Sequence, residues 1–349
     1  PEIGDSAGAA GGFKLPDEVE AEIEHLVLSD SIDALRPTAT EIGKAFRIDD
    51  AVGRYNVFAK NAFPRHLTLD GLTIALDCGN GAAYKVAPEV LEELGARVIA
   101  VGVHPDGENI NRGSGALHPQ ALQTLVKEQG AHIGVALDGD ADRAIFVDDK
   151  GEVVDGDEVM AMLAVDLLAR GDLKNRTLVA TVMSNLGLHV AMRERGIQVV
   201  TTPVGDRYVV EEMVRGGYNL GGEQSGHIVF LDHNTTGDGL ITALSVLALL
   251  VERGTPLSEL RQAMRRFPQV LLNIPVRTKP AIETLPAVQA RIASAERTLG
   301  ERGRVLVRYS GTESLLRVMI EGERESQIRE LAEGIAGAAR DAIGAPDRT

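Results

Sequence analysis

The sequence predicts an α/β protein: two layered α/β domains with mixed sheets, then a smaller α+β domain, with a helical stretch in front. Three observations predict this. From residue 70 short apolar strands alternate with amphipathic helices, the pattern of a largely parallel sheet covered by helices. The alternation restarts after residue 155. Beyond Pro268 it gives way to runs of strands flanked by helices. Boundaries near 65, 155 and 266 divide the chain into 1–64, 65–154, 155–265 and 266–349.

The opening "PEIGDSAGAAGG" has no period and reads as a frayed end. "PDEVEAEIEHLV" places Val19, Ile23, Leu26 and Val27 on one helical face with acids in the first turn. A second helix is expected across "DDAVGRYNVFAKNAF", stopped by Pro64. In the first layered domain, 72–76, 97–101 and 132–137 read as strands, and 87–95 and 118–130 as helices. "AIFVDDKGEVV" reads as a hairpin turning at Asp148–Gly151. In the second, "TLVATV" and "IQVVT" are strands among the helices "DEVMAMLAVDLLARG", "LGLHVAMRERG" and "YVVEEMVRGG", and a long apolar helix covers Asp238 to Glu252. The last domain has strands "VLLNIPVRT", "RVLVRYS" and "LLRVMIEG", with helices at about 280–299 and 325–343.

With 349 residues the chain exceeds one ordinary core, and 44% hydrophobic residues suffice for several. The formal charge of −15 repels nucleic acid and anionic membranes, so neither is an expected partner. An anionic substrate then needs locally concentrated arginine or a bound cation. The single cysteine, Cys78, rules out an internal disulfide framework and suits a reducing cytoplasm. The longest apolar stretch, residues 241–250, is too short to span a bilayer. No charged segment followed by an apolar run opens the chain, so no secretory signal is expected.

Three clusters carry chemistry. In "DGDADR" the carboxylates of Asp138, Asp140 and Asp142 recur every second residue, so an extended segment would put them on one side. Three such charges repel unless a cation offsets them, and hard oxygens suit Mg²⁺. Arg143 adds a fixed cation able to fork onto phosphate. A solvated acidic turn is the plainer alternative. An EF-hand is excluded, because its sixth and twelfth positions hold Arg143 and Asp149. A phosphatase using Asp138 as nucleophile stays open. In "GGEQSGH", Glu223 and Ser225 offer an acceptor and a donor to a polyhydroxylated ligand, and His227 is a candidate general acid or base. In "VRYSGTESLLR", the turn Ser310–Gly311–Thr312 between Arg308 and Arg317 suits an oxyanion. Weaker signals are the Gly-rich turn "DCGNGAA" and the loop "TPVGDRYV", whose Gly205, Asp206 and Arg207 are candidate ligand contacts.

In that order, on successive domains, the clusters resemble the α-D-phosphohexomutase superfamily, and most closely its bacterial phosphoglucosamine mutases. "GFKLPDEVE", "GRYNVFAKNAFP", "DCGNGAA", "VMSNLGL", "TPVGDRYV" and Gln224 are similar to that branch, from about Gly12 to the C-terminal helix. The resemblance implies four domains, a cytoplasmic location, and exchange of glucosamine 6-phosphate with glucosamine 1-phosphate through a phosphoserine and a bisphosphate. It further implies Mg²⁺ on Asp138, Asp140 and Asp142, sugar hydroxyls on Glu223 and Ser225, His227 as proton shuttle, and the non-reacting phosphate on Arg308, Ser310, Gly311, Thr312 and Arg317. The implied ligand is a phosphorylated hexosamine or hexose. Whether the protein forms a homodimer stays open. Glucose or mannose phosphates, as in phosphoglucomutase/phosphomannomutase relatives, remain alternatives.

The chain departs from the pattern in one large respect. It has no S-H-N-P-like run and no "DNGIKF"-like segment before "GFKL", and Ser6 matches nothing. Residues 1–64 then read as the helical remnant of a first α/β domain. The expectation is a chain without its phosphoserine and without turnover, or a non-catalytic sugar-phosphate-binding fragment. Tyr309 and Ser314 stand where the family often has proline.

Overall fold

The computed structural model describes residues 12–29, 31–310 and 313–344. Most of the glycine-rich opening, Ser6 included, lies outside them, as do Gly311 and Thr312. The chain forms two compact units, Pro1–Met183 with Arg195–Ala263, and Ser184–Glu194 with Met264–Thr349.

The first unit holds two sheets. Strands β1 (Thr73–Asp77), β2 (Arg97–Val101), β3 (Ile133–Leu137), β4 (Ala144–Val147) and β5 (Val153–Val154) lie in the order β2-β1-β3-β4-β5. The β2-β1-β3 pairs are parallel and the β3-β4-β5 pairs antiparallel. Every residue of β3 is buried, which explains its unbroken apolar sequence. Helix α4 (Gln120–Gln129) sets Leu122 and Val126 against Ala75, Ala136 and Val147. The second sheet has the order β7-β6-β8-β9, from β6 (Thr177–Thr181), β7 (Gln198–Thr202), β8 (Leu220–Gly222) and β9 (Ile228–Phe230). Helix α7 (Asp206–Gly216) covers it with Val209 and Met213.

Among the described residues of the first unit, two helices start on side-chain caps. Asp155 accepts the N–H groups of Asp157 and Glu158 at the head of α5 (Gly156–Arg170), and Glu158 reaches back to the Asp155 N–H. Asp238 caps α8 (Gly239–Arg253) through Leu240 and Ile241, 3.0 Å each, and also accepts from the Tyr55 hydroxyl of α2 (Ala51–Lys60). Among the described residues no single helix is long and apolar enough to cross a membrane.

The first helix, α1 (Asp17–Leu28), forms where its period predicts, but its apolar face is not covered. Val19, Ile23 and Val27 are exposed, as are Phe46, Ile48 and Val57 further on. Amphipathic spacing specifies a helix and a face, but not what that face meets.

The second unit is an antiparallel sheet β10-β12-β11, made of β10 (Gln269–Pro275), β11 (Gly303–Tyr309) and β12 (Leu315–Gly322). Val270, Ile274, Leu316, Val318 and Ile320 form its core with Ile328, Ala332, Ile335 and Ala339 of α11 (Glu325–Ile343), and α10 (Pro286–Leu299) adds Val288 and Ala295. Helix α6 (Leu186–Glu194) groups with this unit. The residue ahead of it, Asn185, donates to Glu321 Oε1 at 2.9 Å and to the Phe267 carbonyl at 3.1 Å.

Candidate functional site

The acidic loop follows β3, at the carboxyl end where open α/β sheets present ligand-binding groups. It is not the extended run that period two suggested. Ala141 has φ +63°, so the chain turns there and curls the three carboxylates together. Their oxygens lie within 4.8 Å of one another. Asp138 is buried, Asp142 half-buried and Asp140 exposed. Burial pushes Asp138 up to about 6, against the Arg143 N–H that donates to its Oδ1 at 3.1 Å, and the Asp142 and Asp140 charges add to the rise. The hydrogen bond from His227 instead holds Asp142 below the usual carboxylate range. Arg143 Nε stands 3.5 Å from Asp138 and 3.6 Å from Asp142, turned toward its own loop. Asp142 Oδ1 is buried and accepts no hydrogen bond among the described residues. Convergent hard oxygens, one of them lacking a donor, fit a divalent cation of the magnesium type.

Loop 222–227 is joined to this one by backbone. Arg143 and His227 form an antiparallel bridge, and Ala144 N–H donates to the Gly226 carbonyl at 3.1 Å. Gly226, at φ +94°, lies so close that an added Cβ would overlap the Ala144 carbonyl. The bridge brings the His227 ring to the acidic loop, with Nδ1 3.1 Å from Asp142 Oδ2. Its Nε2 faces Asp206 Oδ2 at 3.7 Å. Asp206 opens α7 and pairs with Lys14. Burial opposes its ionisation, but the Lys14 ammonium prevails and keeps its carboxyl below the usual range.

Glu223 Oε1 accepts the Gly205 N–H at 3.0 Å, and Ser225 Oγ lies 3.4 Å from Glu223 Oε2. Gly205, Asp206, Glu223, Ser225 and His227 are therefore one neighbourhood with the acidic loop. Arg207 is engaged too, its Nε 2.8 Å from Glu211. Gln224 points inward and donates to Asp157 Oδ2 at 3.1 Å.

The arginine-flanked turn belongs to the second unit. Arg308 and Arg317 stand directly opposite on β11 and β12. Like charges in that register repel, an arrangement that an anion relieves. The Ser310 N–H donates to the Leu315 carbonyl at 2.9 Å, and Ser310 Oγ accepts the Glu313 N–H at 3.2 Å. Arg317 pairs with Glu313 at 2.7 Å.

Sequence inspection missed four residues. Lys14 is visible in the sequence only within "GFKLPDEVE", as part of the family resemblance. Lys279 donates to the Ser310 carbonyl at 2.7 Å and brings a third cation to that turn. Gly237 lies against the His227 ring. Asp77, buried at the end of β1, accepts from Gly79 N at 2.9 Å and Gly115 N at 2.8 Å, tying together two loops beside the acidic one. One of these loops reaches it directly, through Ala82 N to the Gly139 carbonyl at 2.8 Å. An aspartate closing an apolar strand before a Gly-rich turn was the available signal for Asp77. For Lys14, Lys279 and Gly237 the partners are too remote in sequence for any local pattern to show.

Three family models match: phosphoglucomutase/phosphomannomutase α/β/α domain II at residues 54–151, α/β/α domain III at 155–267, and the C-terminal domain at 271–338. The chain is 59% identical over 328 residues to a phosphoglucosamine mutase of Syntrophotalea carbinolica, covering 94% of this chain and 72% of that protein. It is 59% identical over 341 residues to one of Anaeromyxobacter dehalogenans, covering 95% and 74%. Among solved structures, a phosphoglucomutase/phosphomannomutase family protein of Burkholderia thailandensis superposes with TM-score 0.75 at 22% identity, over 94% of this chain and 70% of that one. An N-acetylphosphoglucosamine mutase of Aspergillus fumigatus, in complex with GlcNAc-6P and magnesium, gives 0.67 at 23%, over 84% and 65%. The last two establish likeness of fold.

Proposed function

The chain belongs to the phosphoglucosamine mutases of the α-D-phosphohexomutase superfamily, and on that premise we propose that it binds a glucosamine phosphate together with Mg²⁺, for exchange of phosphate between the 6- and 1-positions. Asp138, Asp140 and Asp142 hold the ion, which when bound neutralises charge on the phosphoryl group in transfer. Arg143 adds fixed positive charge beside it. Glu223 and Ser225 orient the sugar hydroxyls, with the Gly205 backbone holding the Glu223 carboxylate and Arg207 on the same loop. His227 is a candidate for moving the hydroxyl proton. Arg308, Ser310, Gly311, Thr312 and Arg317, with Lys279, take the phosphate that does not react. Positioning and electrostatics are most of what such a transfer asks of a protein.

The observation that carries the proposal is the Arg143–His227 bridge, which ties the acidic loop to the Glu223–Ser225 loop. It is supported by the donor chemistry of the acid cluster and by the magnesium and GlcNAc-6P bound to the Aspergillus relative. Because the 349 residues contain no S-H-N-P-like run, binding without isomerisation is expected of this chain alone. Calorimetric titration with glucosamine 6-phosphate and Mg²⁺ should give saturable binding, weakened by Glu223→Gln, with glucose and mannose 6-phosphates as comparisons. Phosphorus NMR of the same mixture should show no new species. Isomer formation would put the phosphocarrier on another serine. Release of inorganic phosphate, abolished by Asp138→Asn, would replace the proposal with a phosphatase, and absence of binding would end it.

A further inference from the structure

We infer that Asp206 and Lys14 are positioning residues for the metal loop: they hold His227 so that its other ring nitrogen fixes the orientation of Asp142. This rests on the acidic loop being a cation site, and it gives Asp206 a role other than contact with sugar.

The His227 ring is only 3% exposed and lies between two carboxylates on opposite ring nitrogens, Asp142 at 3.1 Å and Asp206 at 3.7 Å. The first distance is a hydrogen bond. The second is within ion-pair range and too long for a hydrogen bond. The main chain fixes the ring's root, because His227 is bridged to Arg143 and its carbonyl accepts the Glu223 N–H at 2.9 Å. The ring's face is fixed by Gly237, where an added Cβ would stand 2.5 Å from both Cε1 and Nε2. Asp206 is itself placed: Oδ1 accepts the Arg207 N–H at 2.8 Å, and Oδ2, the oxygen facing His227, carries Lys14. The segment bearing Lys14 is tied down where the Gly12 carbonyl accepts the Thr235 hydroxyl at 2.8 Å, two residues before Gly237.

The result is a series, ammonium to carboxylate to imidazole to carboxylate, ending on an acid of the metal loop. Its middle step is electrostatic, since the buried His227 Nε2 makes no hydrogen bond among the described residues and faces Asp206 at 3.7 Å. Partners that orient a ligating group in this way commonly change metal affinity by 10- to 100-fold when removed. Lys14 belongs to the opening segment and Asp206 to the start of α7, so two segments remote in sequence set the geometry of a loop that neither belongs to.

The test titrates Mn²⁺ alone into the full 349-residue chain, reading free ion by electron paramagnetic resonance. Asp206→Asn should bind Mn²⁺ about tenfold more weakly than the unaltered protein. Lys14→Met should fall between the two, and Lys14→Arg should recover the original affinity, which a purely structural role would not require. Melting in EDTA should be the same for all four, and if Asp206→Asn fails to fold, the half-exposed Lys14 carries the test. Unchanged Mn²⁺ affinity in Asp206→Asn and Lys14→Met, with the unaltered protein binding, overturns the inference and leaves the cation site standing. No Mn²⁺ binding by the unaltered protein, or binding indifferent to Asp140→Asn, removes the cation site and the inference with it.

Discussion

Replacing Arg304 by methionine should loosen the C-terminal unit by an amount that depends on pH. Glu321 is fully buried in β12. Its Oε2 lies 2.7 Å from Arg304 Nη2, and the carboxylate also accepts from Asn185 Nδ2 at 2.9 Å and Leu186 N at 3.2 Å. Removing one partner of a buried pair costs about 3–5 kcal/mol, because the other charge is left uncompensated. The two surviving donors and the Arg266 charge, which also acts on the carboxylate, put this case at the low end, about 3 kcal/mol. Burial already raises the Glu321 carboxyl above its ordinary value of 4.5, and Arg304 opposes that rise. Without Arg304 the folded-state pKa climbs further above the unfolded one. The penalty is then full at pH values above the folded pKa. It fades as pH falls through that value, because the carboxyl enters the fold neutral, and it has gone below 4.5. Hydrogen exchange of the 315–322 amides, corrected for intrinsic rates, reads this directly. At pH 7 the variant should exchange roughly a hundredfold faster than the unaltered protein, and at pH 4.5 the gap should shrink severalfold. Equal exchange at pH 7, or an equal gap at both pH values, refutes the reasoning.

Three further outcomes are expected. Gly237→Ala should displace the His227 ring, cost about 1–3 kcal/mol as overpacking and weaken Mn²⁺ binding, whereas Gly43→Ala, where an added Cβ meets nothing within 4 Å, should do neither; denaturant unfolding and Mn²⁺ titration report both. Asp77→Asn leaves one of two glycine N–H groups facing an amide donor, at a cost of about 1.5–3 kcal/mol, and limited proteolysis should then cut the 102–116 loop faster. Lys279→Ala and Arg317→Ala should each lower affinity for glucosamine 6-phosphate roughly tenfold, about the 1.4 kcal/mol of one charge-assisted hydrogen bond, with a weaker dependence on ionic strength and unchanged Mn²⁺ binding in calorimetry.

Much of the fold was legible because burial writes a period into the chain. The all-apolar run Ile133–Leu137 became the fully buried β3, and "AIFVDDKGEVV" became a hairpin closed by the Gly151 N–H on the Asp148 carbonyl at 2.8 Å. The acidic loop was also legible, but for a reason that needs replacing: a left-handed residue at Ala141 gathers the carboxylates, where an extended alternation had been expected. Gln224, a marker of family resemblance, turned out to face Asp157 inside the protein. Nothing in its immediate sequence indicates which way a loop amide points.

By itself the sequence determined most of the elements, the donor types each loop offers and the family, since helix and strand periods, turn glycines and donor types are local properties of neighbouring residues. The short strands β8 and β9 around the Gly-rich loop were not legible in it. The tertiary structure alone decided which loops share a neighbourhood. Lys14 meets Asp206, and Tyr55 of α2 meets Asp238 at the head of α8, across most of the first unit's length in sequence. Such pairs exist only once strands and helices have packed, because a charge interacts with what lies within a few ångströms of it and not with what precedes it along the chain.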